Sequence, residues 1–382
     1  MRIVAAKRLD RIGEYIFSYL AKKIKEVEKK SQKKVLNFGV GNPDIKPSPI
    51  YLDKLHEFIK EDNAHLYPGF GANDQFSAAI ISWYKKRFGV KLNKDELFPL
   101  LGAKEGVSHL PLALLDEGDE VLVPDPGYPA FGDPALMIGA KVIYYNLTEE
   151  NNFKISLKEL EKNVSDKTKF IWVNFPSNPT GQIATVEELQ GIVDFAKKYQ
   201  VLIVFDNAYS EITFDGFIAP SILQIEGSKE VAIEIGSFSK TFSFAGFRMG
   251  WMVGNKEVIS AFAKLKSQID SGMSTPLQNL GAFALTNFDQ NWHQKMIQIY
   301  QQRRQIICTK LKKLGLQFKE PKGGLYIWAK IPESAKDAVS FCMQILEKRQ
   351  ILLTPGSAFG KNGERFVRVS ISVNIDEIDK YF

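Results

Sequence analysis

The sequence has few cysteines and histidines and no long hydrophobic run. Cys308 and Cys342 are its two cysteines, and they lie far apart without CxxC spacing. This pattern predicts neither a disulfide framework nor a cysteine metal site, and it favours a reducing cytoplasm. No apolar run approaches the roughly 18 residues that a membrane span requires, and the N-terminus lacks the apolar core of a signal peptide. No metal is predicted, because the histidines show no HExxH or paired ligand spacing: His56, His65, His109 and His293.

Charge of one sign is in excess at the N-terminus alone. Residues 1–34 hold eleven lysines and arginines against four aspartates and glutamates, whereas the whole chain carries a net charge of +6. A basic arm could bind nucleic acid or an anionic membrane. The same segment, however, spaces its apolar residues as an amphipathic helix with a solvated basic face. We therefore predict neither partner. The apolar positions are Ile12, Tyr15, Ile16, Tyr19, Leu20, Ile24 and Val27.

Nucleotide-binding loops are also missing. GVGNPD and GFGAND begin like dinucleotide loops but lack the third glycine and the strand-to-helix context, and there is no Walker loop. The run from Ser237 to Lys240 matches the S-x-x-K motif of penicillin-binding enzymes, but the companion motifs SDN and KTG are absent. A serine nucleophile is therefore the weaker hypothesis for this run, and a chemical role for Lys240 is the stronger one.

Four apolar runs between about residues 95 and 255 predict the fold. Each begins as a buried strand and ends in polar residues: EVLVPDPGYP, FIWVNFPSNPTG, VLIVFDNAYSEI and VAIEIGSFSK. Thr185 and Glu188 form a capping box that starts a helix between the second and third runs. The pattern is typical of an α/β fold with a mainly parallel sheet flanked by helices.

From about residue 285 the pattern changes. A long helix, WHQKMIQIYQQRRQIICTKLKKL, precedes the strands GGLYIWAKI and RFVRVSIS, which is typical of an α+β unit. We predict a large domain over residues 45–283 and a small domain formed by residues 1–44 and 284–382.

Polar side chains follow the ends of the predicted strands. Because ligands of open α/β sheets bind beyond the carboxyl ends of the strands, these side chains are expected to share one crevice. They are Tyr128, Asn178, Asp206, Tyr209 and Lys240.

The cluster around Lys240 suits an aldehyde cofactor that bears a phosphate. A partly desolvated lysine amine can attack a carbonyl and form a Schiff base. Ser237, Ser239 and Arg248 would hold the phosphate, together with backbone N–H groups at a helix start. These requirements are those of pyridoxal 5'-phosphate. The backbone groups are those at the start of GAKEG: Gly102, Ala103 and Lys104.

The other strand-end residues then have roles on the cofactor ring. A buried Asp206 needs a cationic partner, and a protonated pyridine nitrogen would serve and keep the ring an electron sink. Asn178 and Tyr209 can bond the phenolic oxygen, and Tyr128 offers a ring face for stacking. Taken alone, Asp206 also fits a helix cap, Asn178 a turn and Tyr128 the core.

From about residue 10 to its end the chain resembles the class I and II aminotransferases, the fold-type-I group of pyridoxal-phosphate enzymes. This resemblance implies a large domain with a seven-stranded sheet and a smaller α+β domain. The motifs that carry it are GNPD (41–44), YPGFG (67–71), GAKEG (102–106), PDPGYP (124–129), SNPTG (177–181), DNAYSEITFDG (206–216), SFSKTFSFAGFRMGW (237–251) and RFVRVS (365–370).

The resemblance implies roles for five residues. Lys240 is the lysine that bonds the cofactor, and Asp206 is the partner of the ring nitrogen. Arg368, which alone would also fit a surface ion pair, clamps the substrate α-carboxylate, and Gly41 presents its backbone to that carboxylate. Tyr67 reaches the cofactor phosphate of a second subunit, which implies a homodimer with shared active sites.

Within the family, three segments are similar to the LL-diaminopimelate aminotransferases: AYSEITFDGF, PSILQIEGSKEV and KSQIDSG. In that group Tyr15 would contact the substrate. The loop after Tyr67 reads GFGAN, where that group tends to carry an acidic residue. The amino donor therefore stays open among LL-diaminopimelate, glutamate and aspartate.

The predicted reaction moves an amino group from an L-amino acid to a 2-oxo acid in two half-reactions. Lys240 acts as general base and acid, which requires a lowered pKa. A lyase or decarboxylase on the same fold is an alternative. A non-catalytic binding protein is another, although regulators of this type add a DNA-binding module for which 382 residues leave no room.

Overall fold

The computed structural model describes residues 4–13 and 16–382, with side chains for all of these except residues 16–19. The strands are β1 (Leu36–Asn37), β2 (Leu97–Leu100), β3 (Glu120–Asp125), β4 (Lys141–Asn146), β5 (Thr168–Asn174), β6 (Leu202–Asp206), β7 (Ala232–Ser237), β8 (Gly250–Gly254), β9 (Tyr326–Lys330), β10 (Ile351–Leu352), β11 (Thr354–Pro355) and β12 (Phe366–Ser370).

The α-helices are α1 (Ile16–Ser31), α2 (Pro49–Phe58), α3 (Asp74–Phe88), α4 (Ala103–Leu114), α5 (Asp133–Ile138), α6 (Leu157–Asn163), α7 (Val186–Tyr199), α8 (Ser228–Val231), α9 (Phe238–Thr241), α10 (Lys256–Lys266), α11 (Thr275–Thr286), α12 (Gln290–Lys313) and α13 (Ala338–Arg349). Short 3-10 helices cover Lys7–Arg11, Lys94–Glu96, Pro129–Phe131, Ile222–Gln224, Ala245–Phe247, Gly356–Phe359, Lys361–Gly363 and Ile378–Lys380.

A seven-stranded sheet forms the centre of the fold, in the order β2-β8-β7-β6-β5-β3-β4. Strand β8 is antiparallel to both of its neighbours, and the other neighbouring pairs are parallel. The four predicted apolar runs are β3, β5, β6 and β7, so the predicted α/β class and mainly parallel sheet are confirmed.

The continuous apolar runs arise because both faces of this sheet are covered. On β5, Trp172 packs into a hydrophobic cluster on one face, whereas Ile171 and Val173 pack into a cluster on the other. All three are fully buried. Alternate residues of one strand point to opposite faces, so a strand buried on both sides must be apolar throughout.

Helix α7 connects β5 and β6 and begins at the predicted capping box. The Thr185 Oγ1 accepts a hydrogen bond from Glu188 N at 3.2 Å, and Glu188 Oε2 accepts one from Thr185 N at 2.9 Å. The buried face of the helix includes Leu189, Ile192 and Val193. The box therefore fixes where the helix starts and which face lies on the sheet.

The remaining strands lie in two smaller sheets. One has the order β11-β12-β9 and is antiparallel, and in the other β1 pairs with β10. Leu20 of α1 packs with Leu346 and Leu352, so both ends of the chain share contacts. These contacts support a small domain made from both ends, although its predicted boundaries stay a prediction.

Ile12, the first apolar position that predicted the N-terminal helix, has an extended backbone and lies outside that helix. Both cysteines are buried and free. No helix in the described part of the chain combines the length and apolar character that crossing a membrane requires.

Candidate active site

A cavity of about 660 Å³ opens at the carboxyl ends of β5, β6 and β7, as expected for an open α/β sheet. Its walls also include residues of β9 and β12 from the smaller antiparallel sheet. The lining residues are Val40, Gly41, Asn42, Ala103, Lys104, Val107, Tyr128, Asn178, Asp206, Ala208, Tyr209, Ser237, Ser239, Lys240, Ala245, Gly246, Arg248, Tyr326 and Arg368.

Lys240 enters the cavity from α9, the short helix that follows β7 directly. Its Nζ donates a hydrogen bond to the Gly41 carbonyl at 2.8 Å and lies 5.9 Å from the centre of the Tyr209 ring. Burial lowers the pKa of Lys240 below the ordinary lysine value. The amine is consequently easier to deprotonate than a surface lysine, which is what a nucleophilic or basic amine requires.

Asp206 ends β6 and is buried. Among the described residues, its carboxylate accepts one hydrogen bond, from Ala208 N at 3.1 Å. Burial raises the pKa of Asp206 to about 6, although the Ala208 N–H and the charge of Lys240 act in the opposite direction. A carboxyl group so poorly solvated gains from a cation placed beside it, because a partner charge offsets the cost of desolvation.

Another part of the cavity wall is suited to an anion. Gly102 has a φ of 82°, and a Cβ added there would lie 2.3 Å from Arg248 Nη2, so the guanidinium packs directly against the backbone of this turn. Helix α4 begins at the next residue, and the N-terminus of a helix favours an anion. Ser237 and Ser239 line the wall beside it.

Arg368 projects from β12 and is 2% exposed. Its Nη1 donates to Asn178 Oδ1 at 2.8 Å and its Nη2 donates to the Gly39 carbonyl at 2.7 Å. The guanidinium carbon lies 4.2 Å from the centre of the Tyr326 ring. A surface ion pair, the alternative role that the sequence left open, is therefore wrong. Arg368 is a fixed cation in the wall of the cavity.

Tyr326 is a cavity residue that the sequence did not single out. Its hydroxyl lies 3.3 Å from the Tyr209 hydroxyl. A Cβ added to Gly41 would lie 1.9 Å from the same hydroxyl, so Gly41 can have no side chain here. The strand that contains Tyr326 was predicted, but no sequence pattern indicated that this strand borders the site.

Two further neighbours were also missed. Asn174, at the end of β5, donates from Nδ2 to the Asp206 carbonyl at 2.9 Å and accepts from Asn178 N at 2.7 Å. It therefore fixes two predicted site residues relative to each other. Asn42 lines the cavity beside Gly41 and lies within the GNPD motif.

The structure brings most of the predicted site residues into this one cavity. Gly102 adjoins it behind Arg248. Tyr67 does not line it and is 89% exposed, so its predicted contact with a second subunit stays a prediction. Tyr15 lies outside the described residues. The predicted residues that line the cavity are Gly41, Ala103, Lys104, Tyr128, Asn178, Asp206, Tyr209, Ser237, Ser239, Lys240, Arg248 and Arg368.

The residues fit pyridoxal 5'-phosphate by their chemistry. Arg248 and the Gly102 turn suit the phosphate, Asp206 suits a cationic ring nitrogen, and Lys240 suits the aldehyde. Arg368, on β12, adds a second cation to the same cavity. Two separate cationic positions match a cofactor phosphate and a substrate carboxylate.

Known proteins resemble this chain over nearly its whole length. The family model described as aminotransferase class I and II matches residues 33–381. A protein named LL-diaminopimelate aminotransferase from Halothermothrix orenii is 38% identical, with 98% of this chain and 95% of that protein covered.

Solved structures agree in fold. The BacF protein of Bacillus subtilis is 32% identical with a TM-score of 0.94, covering 100% of this chain and 97% of that one. An aminotransferase of Staphylococcus aureus is 31% identical with a TM-score of 0.89, covering 98% and 96%.

Proposed function

Because this chain belongs to the class I and II aminotransferases and is an aminotransferase, we propose that its cavity binds pyridoxal 5'-phosphate and carries out the amino transfer there. The observation that carries the proposal is the arrangement of Lys240 and Asp206 in one cavity with two separate arginines, Arg248 and Arg368. A lyase or decarboxylase is not favoured, since the similar proteins are named as aminotransferases.

Different residues of the cavity would hold the phosphate and the ring nitrogen. Arg248, Ser237 and Ser239 would bind the phosphate with the N-terminal N–H groups of α4, where the helix dipole favours an anion. Asp206 would hold the ring nitrogen in its protonated form. When bound, the cofactor supplies an aldehyde that accepts the amino group and a ring that delocalises the electrons of the broken bond.

The substrate would be oriented by Arg368. Its planar guanidinium matches a carboxylate with two parallel hydrogen bonds, and Asn178 and the Gly39 carbonyl already hold it in place. A carboxylate fixed in this way would hold the substrate in the cavity that Lys240 also lines. Lys240 would then take the proton from Cα as general base, and its lowered pKa favours this role.

The remaining cavity residues would position the ring. Tyr128 offers a ring face, while Tyr209 and Asn178 offer a hydroxyl and an amide for the phenolic oxygen. Burial raises the pKa of Tyr209, so its hydroxyl stays protonated and able to donate a hydrogen bond. The Gly41 backbone would contact the substrate carboxylate.

The amino donor we propose is LL-diaminopimelate, with 2-oxoglutarate as the acceptor. This rests on the similarity to proteins named LL-diaminopimelate aminotransferase and on the segments quoted above. Glutamate and aspartate are the next candidates. We also propose a cytoplasmic homodimer in which Tyr67 reaches the neighbouring phosphate. The high exposure of Tyr67 in the single chain supports that contact.

The test is a half-reaction assay on purified protein with cofactor. Wild type is expected to show the absorbance band of cofactor bonded to Lys240, and an amino donor should abolish that band and release a 2-oxo acid without ammonia. Lys240→Ala should lack the band while keeping cofactor held by other contacts. An unchanged spectrum in Lys240→Ala would refute the site, whereas release of ammonia or carbon dioxide would refute the reaction.

The amino donor is tested in the same assay. LL-diaminopimelate, glutamate, aspartate and aromatic amino acids are compared at matched concentrations. The proposal expects the fastest spectral change with LL-diaminopimelate. No response to it, with a response to another donor, would refute the donor and leave the reaction type unaffected.

A further inference from the structure

An ion cluster, in which Lys266 and Glu105 are buried and Asp270 is partly exposed, lies behind the turn that would bind the phosphate. Lys266, at the end of α10, is 1% exposed and donates hydrogen bonds to the carboxylates of Glu105 and Asp270. None of these three residues lines the cavity. The cluster nevertheless connects the Gly102 turn with a segment that packs against the loop of Tyr67.

The first segment is the Gly102 turn. Glu105 lies in the first turn of α4, and its Oε2 accepts a hydrogen bond from Leu101 N at 2.7 Å. Gly102 follows directly and packs against Arg248. The Glu105 carboxylate therefore ties the entry of the turn to the helix whose N-terminus faces the cavity, and Lys266 holds that carboxylate in position.

The second segment leads to the loop that carries Tyr67. The Asp270 Oδ1 accepts a hydrogen bond from Gly272 N at 2.8 Å. Gly272 has a φ of 93°, and a Cβ added there would lie 2.2 Å from the Gly69 carbonyl oxygen. The backbone at Gly272 is therefore pressed against the loop at Gly69, two residues after Tyr67.

Burying such charges is costly, and apolar residues of similar size often give equal or greater stability. A buried ion cluster therefore need not increase the free energy of unfolding. Its geometric effect is more specific, because a charged pair holds its backbone partners in fixed directions. Here those partners are the Leu101 and Gly272 N–H groups, one on each segment.

We propose that Glu105, Lys266 and Asp270 are positioning residues for the phosphate of the cofactor. Glu105 sets the Gly102 turn against Arg248, and Asp270 sets the loop that presents Tyr67. Lys266 fixes both carboxylates. This inference rests on the proposed function, since it assumes that a phosphorylated cofactor binds at this end of the cavity.

The experiment compares the dissociation constants of pyridoxal 5'-phosphate and of pyridoxal, which lacks the phosphate, by absorbance titration of cofactor-free protein. Glu105→Ala removes the acceptor for Leu101 N but leaves Lys266 paired with Asp270. It is expected to weaken pyridoxal 5'-phosphate binding by about tenfold, the scale of one charge-assisted hydrogen bond, and to leave pyridoxal binding unchanged. Glu105→Gln keeps an acceptor and should recover most of the affinity.

The matched control is Asp215→Ala, which breaks another ion pair of a buried arginine, Arg304, outside the cavity. It should leave both dissociation constants unchanged even if it lowers the melting temperature. Asp270→Ala is the second variant and should weaken pyridoxal 5'-phosphate selectively, as Glu105→Ala does.

The inference is overturned if Glu105→Ala and Asp270→Ala bind pyridoxal 5'-phosphate as tightly as wild type. It is also overturned if they lose affinity equally for the two ligands, or if Glu105→Gln loses as much as Glu105→Ala. If wild type itself binds neither ligand, the proposed function fails first. The two failures are thereby distinguished.

Discussion

Replacing Arg368 with lysine tests whether binding of the substrate carboxylate depends on the planar shape of the guanidinium or only on its charge. The guanidinium is buried, held by Asn178 and by the Gly39 carbonyl, and stacked on the Tyr326 ring. Burial lowers the pKa of Lys240, and the charge of Arg368 contributes to that shift. Arg368→Lys keeps a positive charge near Lys240 but loses the planar pair of donors.

The expected loss follows from the hydrogen bonds that a lysine cannot make. A lysine can replace one of the two parallel bonds to a substrate carboxylate. The other, at about 1.5–3 kcal/mol for a charge-assisted bond, corresponds to a fall in kcat/KM of about 10- to 100-fold. Because the bond forms to substrate and not to cofactor, the dissociation constant of the cofactor should not change.

The assay measures both half-reactions and cofactor affinity for Arg368→Lys and for a matched control, Arg365→Lys. Arg365 lies three residues earlier and donates to the carbonyls of Pro332 and Ala335 outside the cavity. The control should retain wild-type kcat/KM. Arg368 does not bind the substrate carboxylate if Arg368→Lys loses cofactor affinity as strongly as kcat/KM. The same conclusion follows if kcat/KM of Arg365→Lys falls as far as that of Arg368→Lys.

Three further outcomes are expected. Cofactor-free Asp206→Asn should be more stable than cofactor-free wild type at pH 7 by ~3 kcal/mol in urea unfolding, and no more stable below about pH 4. The reason is that burial raises the pKa of Asp206 to about 6, so ionising it opposes folding as the pH rises; a difference that does not vary with pH would contradict this. Gly102→Ala should weaken pyridoxal 5'-phosphate binding about tenfold in absorbance titrations, because a Cβ would meet Arg248 and the positive φ becomes strained; unchanged binding would argue against a phosphate at this turn. Thr185→Ala should lower the free energy of unfolding by about 1 kcal/mol with normal kinetics, since it removes an N-cap remote from the cavity; altered kinetics would contradict that separation.

Local patterns predicted the elements that meet at the site. The apolar runs predicted β3, β5, β6 and β7. The polar residues that follow these strands line the cavity, because parallel strands end at one edge of the sheet. The resemblance to a known family added Arg368 and Gly41, which no local pattern would have joined to Lys240. Both line the cavity as well.

Contacts between distant segments could not be predicted in this way. Tyr326 belongs to a predicted strand, yet its hydroxyl lies beside both Tyr209 and Gly41 because β9 packs against the end of the central sheet. The cluster around Lys266 is similar. In sequence its residues look like ordinary surface charges, and the burial of Lys266 and Glu105 follows from how α10 packs on α4.

The sequence by itself determined the chemistry of this protein, because strand ends and helix starts are set by local apolar patterning, capping and turn residues. It thereby placed a lysine, an aspartate and an anion-binding turn at one edge of a parallel sheet. Tertiary structure decided which side chains lose their water and which backbone groups touch. Solvation and contact depend on residues far apart in the chain, and so the shifted pKa values of Lys240 and Asp206, the closeness of Tyr326 and the burial of Lys266 emerge only in the folded molecule.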